Sequence, residues 1–198
     1  MAKHLPFRLT LASGSIGRRY LLENAGYHFD IQPSNAEEPT EARYSSCQQY
    51  VQEVAWLKAA AVAKSEKVDN GFILAADTVG WIDNSVIGKP LDRDDARRIL
   101  RLLSGRVHEL WTGVCLWRVS DRFQFQYQEL SLVEMRELSP IEIETYLDTR
   151  QWEGCSGAYA IKEEKDPYLK IVRGSLSNVI GLPMESLERT FEWLAIPR

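Results

Sequence analysis

The 198-residue chain carries 24 Lys and Arg against 28 Asp and Glu, a net charge of -4, and 44% apolar residues. That suits one domain, or one domain with an added lobe, and it excludes a broad basic face for nucleic-acid polymers. Cys47, Cys115 and Cys155 lack metal spacing and read as the reduced thiols of a cytosolic protein; the opening MAKHLPFRLT has no apolar signal segment, and no apolar run is long enough to span a membrane.

RLTLA reads as a strand, and Ser15 caps the helix that follows, which Gly26 ends. A polar loop, PSNAEEPTEARYSS, leads to a long helix opened by Ser45 or Ser46 and running to about Lys67, with Tyr50, Val51, Val54, Leu57, Ala61 and Val62 at helical spacing. GFILAA is a short, fully apolar strand, continued by DTVGWIDNSVIGKP through an Asp-Asn turn. LDRDDARRILRLLSG is a helix between Asp92 and Gly105. HELWTGVCLWRV and RFQFQYQELSLVEMREL read as a pair of long antiparallel strands. SPIEIETYLD is a helix with Ser139, Pro140 and Glu142 forming a capping box. QWEGCSGAYAIK is a glycine-punctuated loop, YLKIVRG a strand, SLSNVIGLP a loop and MESLERTFEWL the last helix. This mixture predicts an α/β or α+β fold with a mixed sheet.

Several residues stand out chemically. LTLASGSIGRRYLLENAG puts two serines and two arginines at a strand-to-helix turn, where free N–H groups and a positive dipole end attract anions. Ser13, Ser15, Arg18 and Arg19 either cradle phosphate or serve as caps and solvated charges. Asp77, in FILAADT, stands at a strand end as a metal ligand, a general base or a turn cap. Lys58 falls on the core-facing stripe of its helix, so it must snorkel or meet a negative partner. Lys89 is held in IGKP, as a ligand cation or a solvated one. Glu37 and Glu38 are a solvated pair unless Asp77 joins them to offer a magnesium-type ion its oxygens. His108 has no His or Cys at ligand spacing and reads as structural.

In order, LASGSIGRRYLL, EE at 37–38, LKA at 57–59, AADTV, GKP, LSGRVHELWTGV, SGAYAI and GSLSNVIGLP resemble the Maf family of nucleotide pyrophosphatases, from Leu9 to about Leu194. The resemblance implies a cytoplasmic enzyme that hydrolyses a nucleoside triphosphate to the monophosphate and pyrophosphate with a divalent metal cation, Mg2+ or Mn2+. It implies an α/β fold like that of inosine triphosphate pyrophosphatase: an elongated, bent mixed sheet flanked by helices, two lobes around a central cleft, and one domain over residues 1–198. Members often dimerise and are linked to septum formation, so the alternative is a non-catalytic nucleotide-binding regulator of division. Neither nucleic-acid polymer nor membrane is an expected partner. By matching position, Ser13 and Arg18 bind phosphate with Ser15 beside them, Glu38 is the metal-side glutamate, Lys58 and Lys89 are the site lysines, and Asp77 is the proposed proton acceptor, which with Glu38 would also hold the metal.

Four positions bear on the base. Gly17 stands where the dTTP/UTP branch has Arg and the 7-methyl-GTP branch has Trp. Thr78 matches the dTTP/UTP branch, whereas Lys162 stands where the two branches have Gln and Glu. Cys155, before SGAY, is closer to the methyl-GTP branch. Thr78 tips the expectation toward a pyrimidine-type or broad triphosphate substrate.

Overall fold

The computed structural model describes residues 3–40, 44, 46–65, 67–161 and 166–196. Its elements begin with β1 (Leu9–Leu11), α1 (Ile16–Asn24), β2 (Asp30–Ile31), α2 (Cys47–Lys64), β3 (Phe72–Ile82), β4 (Ser85–Ile87) and α3 (Arg93–Leu103). They continue with β5 (Val107–Arg118), β6 (Gln124–Met135), α4 (Pro140–Asp148), β7 (Leu169–Arg173), α5 (Leu176–Ile180) and α6 (Met184–Leu194). The strands make a seven-stranded mixed sheet in the order β2-β1-β3-β5-β6-β7, with β4 paired to β3 off that path. β1 runs parallel to β2 and β3; β3 with β4, and β6 with β7, are antiparallel. The expected α/β class with a helix-flanked mixed sheet is therefore present.

The chain divides into two compact units: Met1–Asp77 with Thr112–Glu129 and Gly181–Arg198, and Thr78–Trp111 with Leu130–Ile180. In the first, alternation along the strands sorts the core into two layers. Phe72, Leu74, Ala76, Val114 and Leu116 pack with Leu22, Leu187 and Phe191. Ile73, Ala75 and Cys115 pack with Ala55, Ala59 and Val62 of α2. Burial on both faces is why GFILAA shows no polar alternation. α2 lies close enough to β5 that a Cβ on Gly113 would stand 2.3 Å from the Val51 carbonyl oxygen, so only glycine fits there. In the second unit α3 and α4 cover a core that includes Ile99, Leu103, Val133 and Leu147. Arg93 and Arg97 of α3 tie to Glu144 of α4.

Local signals act as expected at several ends. Ser15, Ser46, Asp92 and Ser139 cap α1, α2, α3 and α4, and Ser139 forms its capping box with Glu142. Ser45, the other candidate cap for α2, lies outside the described residues. Asp83 and Asn84, with φ of 51° and 58°, make the two-residue turn of the β3–β4 hairpin. Two expectations change. SLSNVIGLP is not a plain loop: residues 176–180 form α5, opened by Ser175 Oγ accepting from the Asn178 amide. QWEGCSGAYAIK contains a 3-10 turn at Ser156–Ala158.

Candidate functional site

The site begins where β1 ends. Leu11 is paired with Leu74, after which the chain leaves the sheet for α1 while β3 continues to Ile82. Asp77 therefore stands inside a strand rather than at its tip, three residues beyond the last rung shared with β1. Its number has the parity of Ile73 and Ala75, so its side chain lies on the α2 face. On α2, Lys58 sits among Ala55, Ala59 and Val62, which pack on that same face. The register of the strand and the period of the helix thus bring the two charges together.

The resulting contacts are short. Lys58 Nζ is 2.7 Å from Asp77 Oδ1 and 2.9 Å from Glu38 Oε1. The Lys58 and Asp77 side chains are 15% and 10% exposed, and that of Glu38, on the loop before α2, is 49% exposed. One lysine thus bridges two carboxylates, one buried and one open to water. Asp77 Oδ2 is buried and has no hydrogen-bond partner among the described residues. A buried, unsatisfied carboxylate oxygen is costly unless a cation or donor meets it. A hard divalent ion with oxygen preference suits that atom together with the exposed Glu38 carboxylate. Among the described residues no group of three or more His, Cys, Asp or Glu is arranged to hold a metal, so a metal there would rely on substrate oxygens or water for its remaining ligands.

Arg18 is the second buried charge, 9% exposed in the first turn of α1. Its Nη1 donates to Ser13 Oγ at 3.1 Å and its Nε to the Gly181 carbonyl at 2.8 Å. Burial pulls the guanidinium below its ordinary value, while the fields of Asp77 and Glu38 raise it. Those fields tie Arg18 electrostatically to the Lys58 cluster. Ser13 Oγ also accepts from the Ser15 amide, and Ser15 Oγ accepts from the Arg18 amide. The turn is folded around its own hydroxyls. Arg19 is different: it is exposed and pairs with Glu23 one turn along α1, so it belongs to the solvated face.

Ser13, Ser15, Arg18, Glu38, Lys58 and Asp77 thus fall within the first unit, with Gly17 half-buried on α1. Glu37 is exposed on the same loop as Glu38. Lys89 and Thr78 belong to the second unit. Lys89 is exposed, and its loop is pinned by Gly157 N donating to the Gly88 carbonyl at 3.0 Å. The Thr78 carbonyl accepts from Ser156 Oγ at 3.1 Å. Lys162 lies outside the described residues. His108 is structural: buried, it meets the Tyr159 hydroxyl at 2.6 Å, a partner that sequence spacing did not suggest. The Gly181 carbonyl was also missed, because a main-chain acceptor leaves only a glycine as its trace.

A parallel strand-to-helix turn, a buried arginine and a lysine-bridged acid pair in an α/β protein are chemistry suited to a phosphorylated ligand. Residues 8–194 match the family model described as Maf-like protein, and the chain belongs to that family. It is 40% identical to a dTTP/UTP pyrophosphatase of Rhodopirellula baltica, covering 94% of this chain and 82% of that one. It is 34% identical to a dTTP/UTP pyrophosphatase of Ruminiclostridium cellulolyticum, covering 94% and 95%, and 38% identical to one of an Anaeromyxobacter species, covering 91% and 86%. No helix among the described residues is long and apolar enough to cross a membrane.

Proposed function

We propose that this protein is a nucleoside triphosphate pyrophosphatase that favours dTTP- and UTP-type substrates. The observation that carries the reading is the buried Asp77 carboxylate, paired through one oxygen with Lys58 and open at the other. It is supported by relatives named dTTP/UTP pyrophosphatase over more than nine-tenths of the chain, and by Thr78, which matches that branch of the family. The substrate is a free nucleotide rather than a nucleic-acid polymer, in keeping with the net charge of -4. The reading also includes a cytoplasmic setting and a homodimer, both carried over from the family.

Arg18 and the Ser13–Ser15 turn hold phosphate oxygens, using permanent charge and N–H groups already directed at the helix start. Glu38 and Asp77 would hold the divalent ion, Mg2+ or Mn2+. That ion, when bound, neutralises triphosphate charge and lowers the pKa of water. Asp77 orients a water and accepts its proton as the water oxygen attacks the α-phosphorus. The bond from the α-phosphorus to the bridging oxygen breaks, and pyrophosphate leaves with that electron pair. Lys58 shifts from the acid pair toward the developing charge, and Lys89 adds a cation by its match to the family pattern.

The test is a panel of common and modified nucleoside triphosphates, with Mg2+ or Mn2+, scored for the phosphate species released. Pyrophosphate and monophosphate in equal amounts, fastest with dTTP or UTP, are expected. Orthophosphate release, or binding without turnover as in a nucleotide sensor, overturns the reading.

A further inference from the structure

Arg18 and Gly181 are 163 residues apart, yet the Arg18 Nε donates to the Gly181 carbonyl at 2.8 Å. With the Ser13 contact from Nη1, this bond fixes two edges of a planar guanidinium. These two acceptors are neutral, and the two bonds together set the plane of the group.

Gly181 has a φ of 123°, in the range that L side chains rarely adopt. It follows α5 directly and leads into α6, and the residues after it are pinned. Leu182 is fully buried, and Pro183 accepts the first bond of α6 from Leu187 N. With the residues after it held, a residue carrying a Cβ at position 181 relieves its strain by rotating about its own φ and ψ, which swings the carbonyl.

We propose that Gly181 is a positioning residue for Arg18. Its glycine-only conformation aims a main-chain oxygen at the guanidinium and so sets the plane in which Arg18 meets the substrate's phosphate oxygens. The assignment rests on the pyrophosphatase reading for the identity of that substrate. Catalytic geometry tolerates little error: a displacement of about 1 Å in a positioning group can cost on the order of a hundredfold in rate.

The test is a double-substitution cycle between Gly181→Ala and Arg18→Lys, read by KM for the triphosphate and by Kd for inorganic pyrophosphate with Mg2+. Lysine has no planar fork for the carbonyl to orient. In the wild-type background Gly181→Ala should weaken both constants by about tenfold or more, and in the Arg18→Lys background it should change neither further. A folded Gly181→Ala protein with unaltered constants, or an equal loss in both backgrounds, overturns the proposal in favour of a simple turn glycine.

A second measurement uses the unaltered chain, in case Gly181→Ala does not fold. In arginine-15N-labelled protein, the Nε–H signal that Arg18→Lys removes should be slow to exchange and should show through-hydrogen-bond coupling to the Gly181 carbonyl carbon. Exchange at the rate of a free arginine overturns the proposal. A protein that shows this coupling and binds pyrophosphate, yet hydrolyses no triphosphate, would remove the proposed function and leave the role of Gly181 in place.

Discussion

Lys58 Nζ sits 2.7 Å from Asp77 Oδ1 and 2.9 Å from Glu38 Oε1, so a single ammonium group holds together the two carboxylates proposed to hold the metal. Lys58→Met keeps the aliphatic stem against α2's neighbours and removes only the charge. Asp77, 7% exposed, would then be a buried carboxylate with no cation in contact among the described residues. The expected loss of stability is roughly 1.5–3 kcal/mol, typical of a hydrogen bond to a charged group. Urea denaturation should show part of it restored in Lys58→Met/Asp77→Asn, where no carboxylate is stranded. Strictly additive losses would mean that the contact does not govern stability.

Asp77→Asn keeps the shape of the side chain and removes its capacity to accept a proton. Lys58 keeps its contact with Glu38, so the fold should persist with an unchanged far-ultraviolet circular dichroism spectrum. Turnover should fall by about a hundredfold or more, the usual cost of losing a general base or a key electrostatic group. Measured pyrophosphate release near the wild-type rate would move the role of base to another residue.

Much of this cluster was legible before any coordinates. Lys58 announced itself because a lysine on an apolar helical stripe needs a partner, and Asp77 because a carboxylate follows directly on the apolar run FILAA. What could not be read was that β3 runs on past β1, since strand length depends on the hairpin partner, β4, and not on local propensity. Arg18 was singled out, but not its bond to the Gly181 carbonyl, because main-chain acceptors have no residue type. α5 was missed because five residues are too few for a periodic signal, and its cap, Ser175, sits among other serines. Arg19 resembled Arg18 in type and place. Only the helix direction separates them, turning one inward and the other toward Glu23.

Gly17 offers a test of base recognition. It lies half-buried inside α1, one residue before Arg18, where the dTTP/UTP branch of the family carries arginine. Gly17→Arg should lower KM for dTTP or UTP, by about tenfold for one good polar contact, without a matching gain for purine triphosphates. It should also raise the melting temperature, because glycine within a helix costs about 0.5–1 kcal/mol relative to a residue with a side chain. A higher melting temperature with unchanged KM ratios would separate the helix effect from recognition and show that position 17 does not face the base.

His108 predicts the pH dependence of folding. Buried against Tyr159, its imidazole is pushed down to about 4 by loss of solvation, from an ordinary value of 6.5. The unfolded chain therefore takes up the proton at a higher pH than the folded one. Stability from this group is complete above about pH 6.5, falls as pH drops toward 4, and levels off below that. Proton linkage puts the total loss on the order of 3 kcal/mol. His108→Gln cannot take the proton, and its amide can still reach the Tyr159 hydroxyl. Urea unfolding of both proteins between pH 7.5 and 4 should give a flatter profile for the variant, with most of the difference developing below pH 6. Carboxylates elsewhere titrate in both proteins and cancel in the comparison. Parallel profiles would show that His108 accepts its proton in the folded state as readily as in water, and that the second unit opens around it without unfolding.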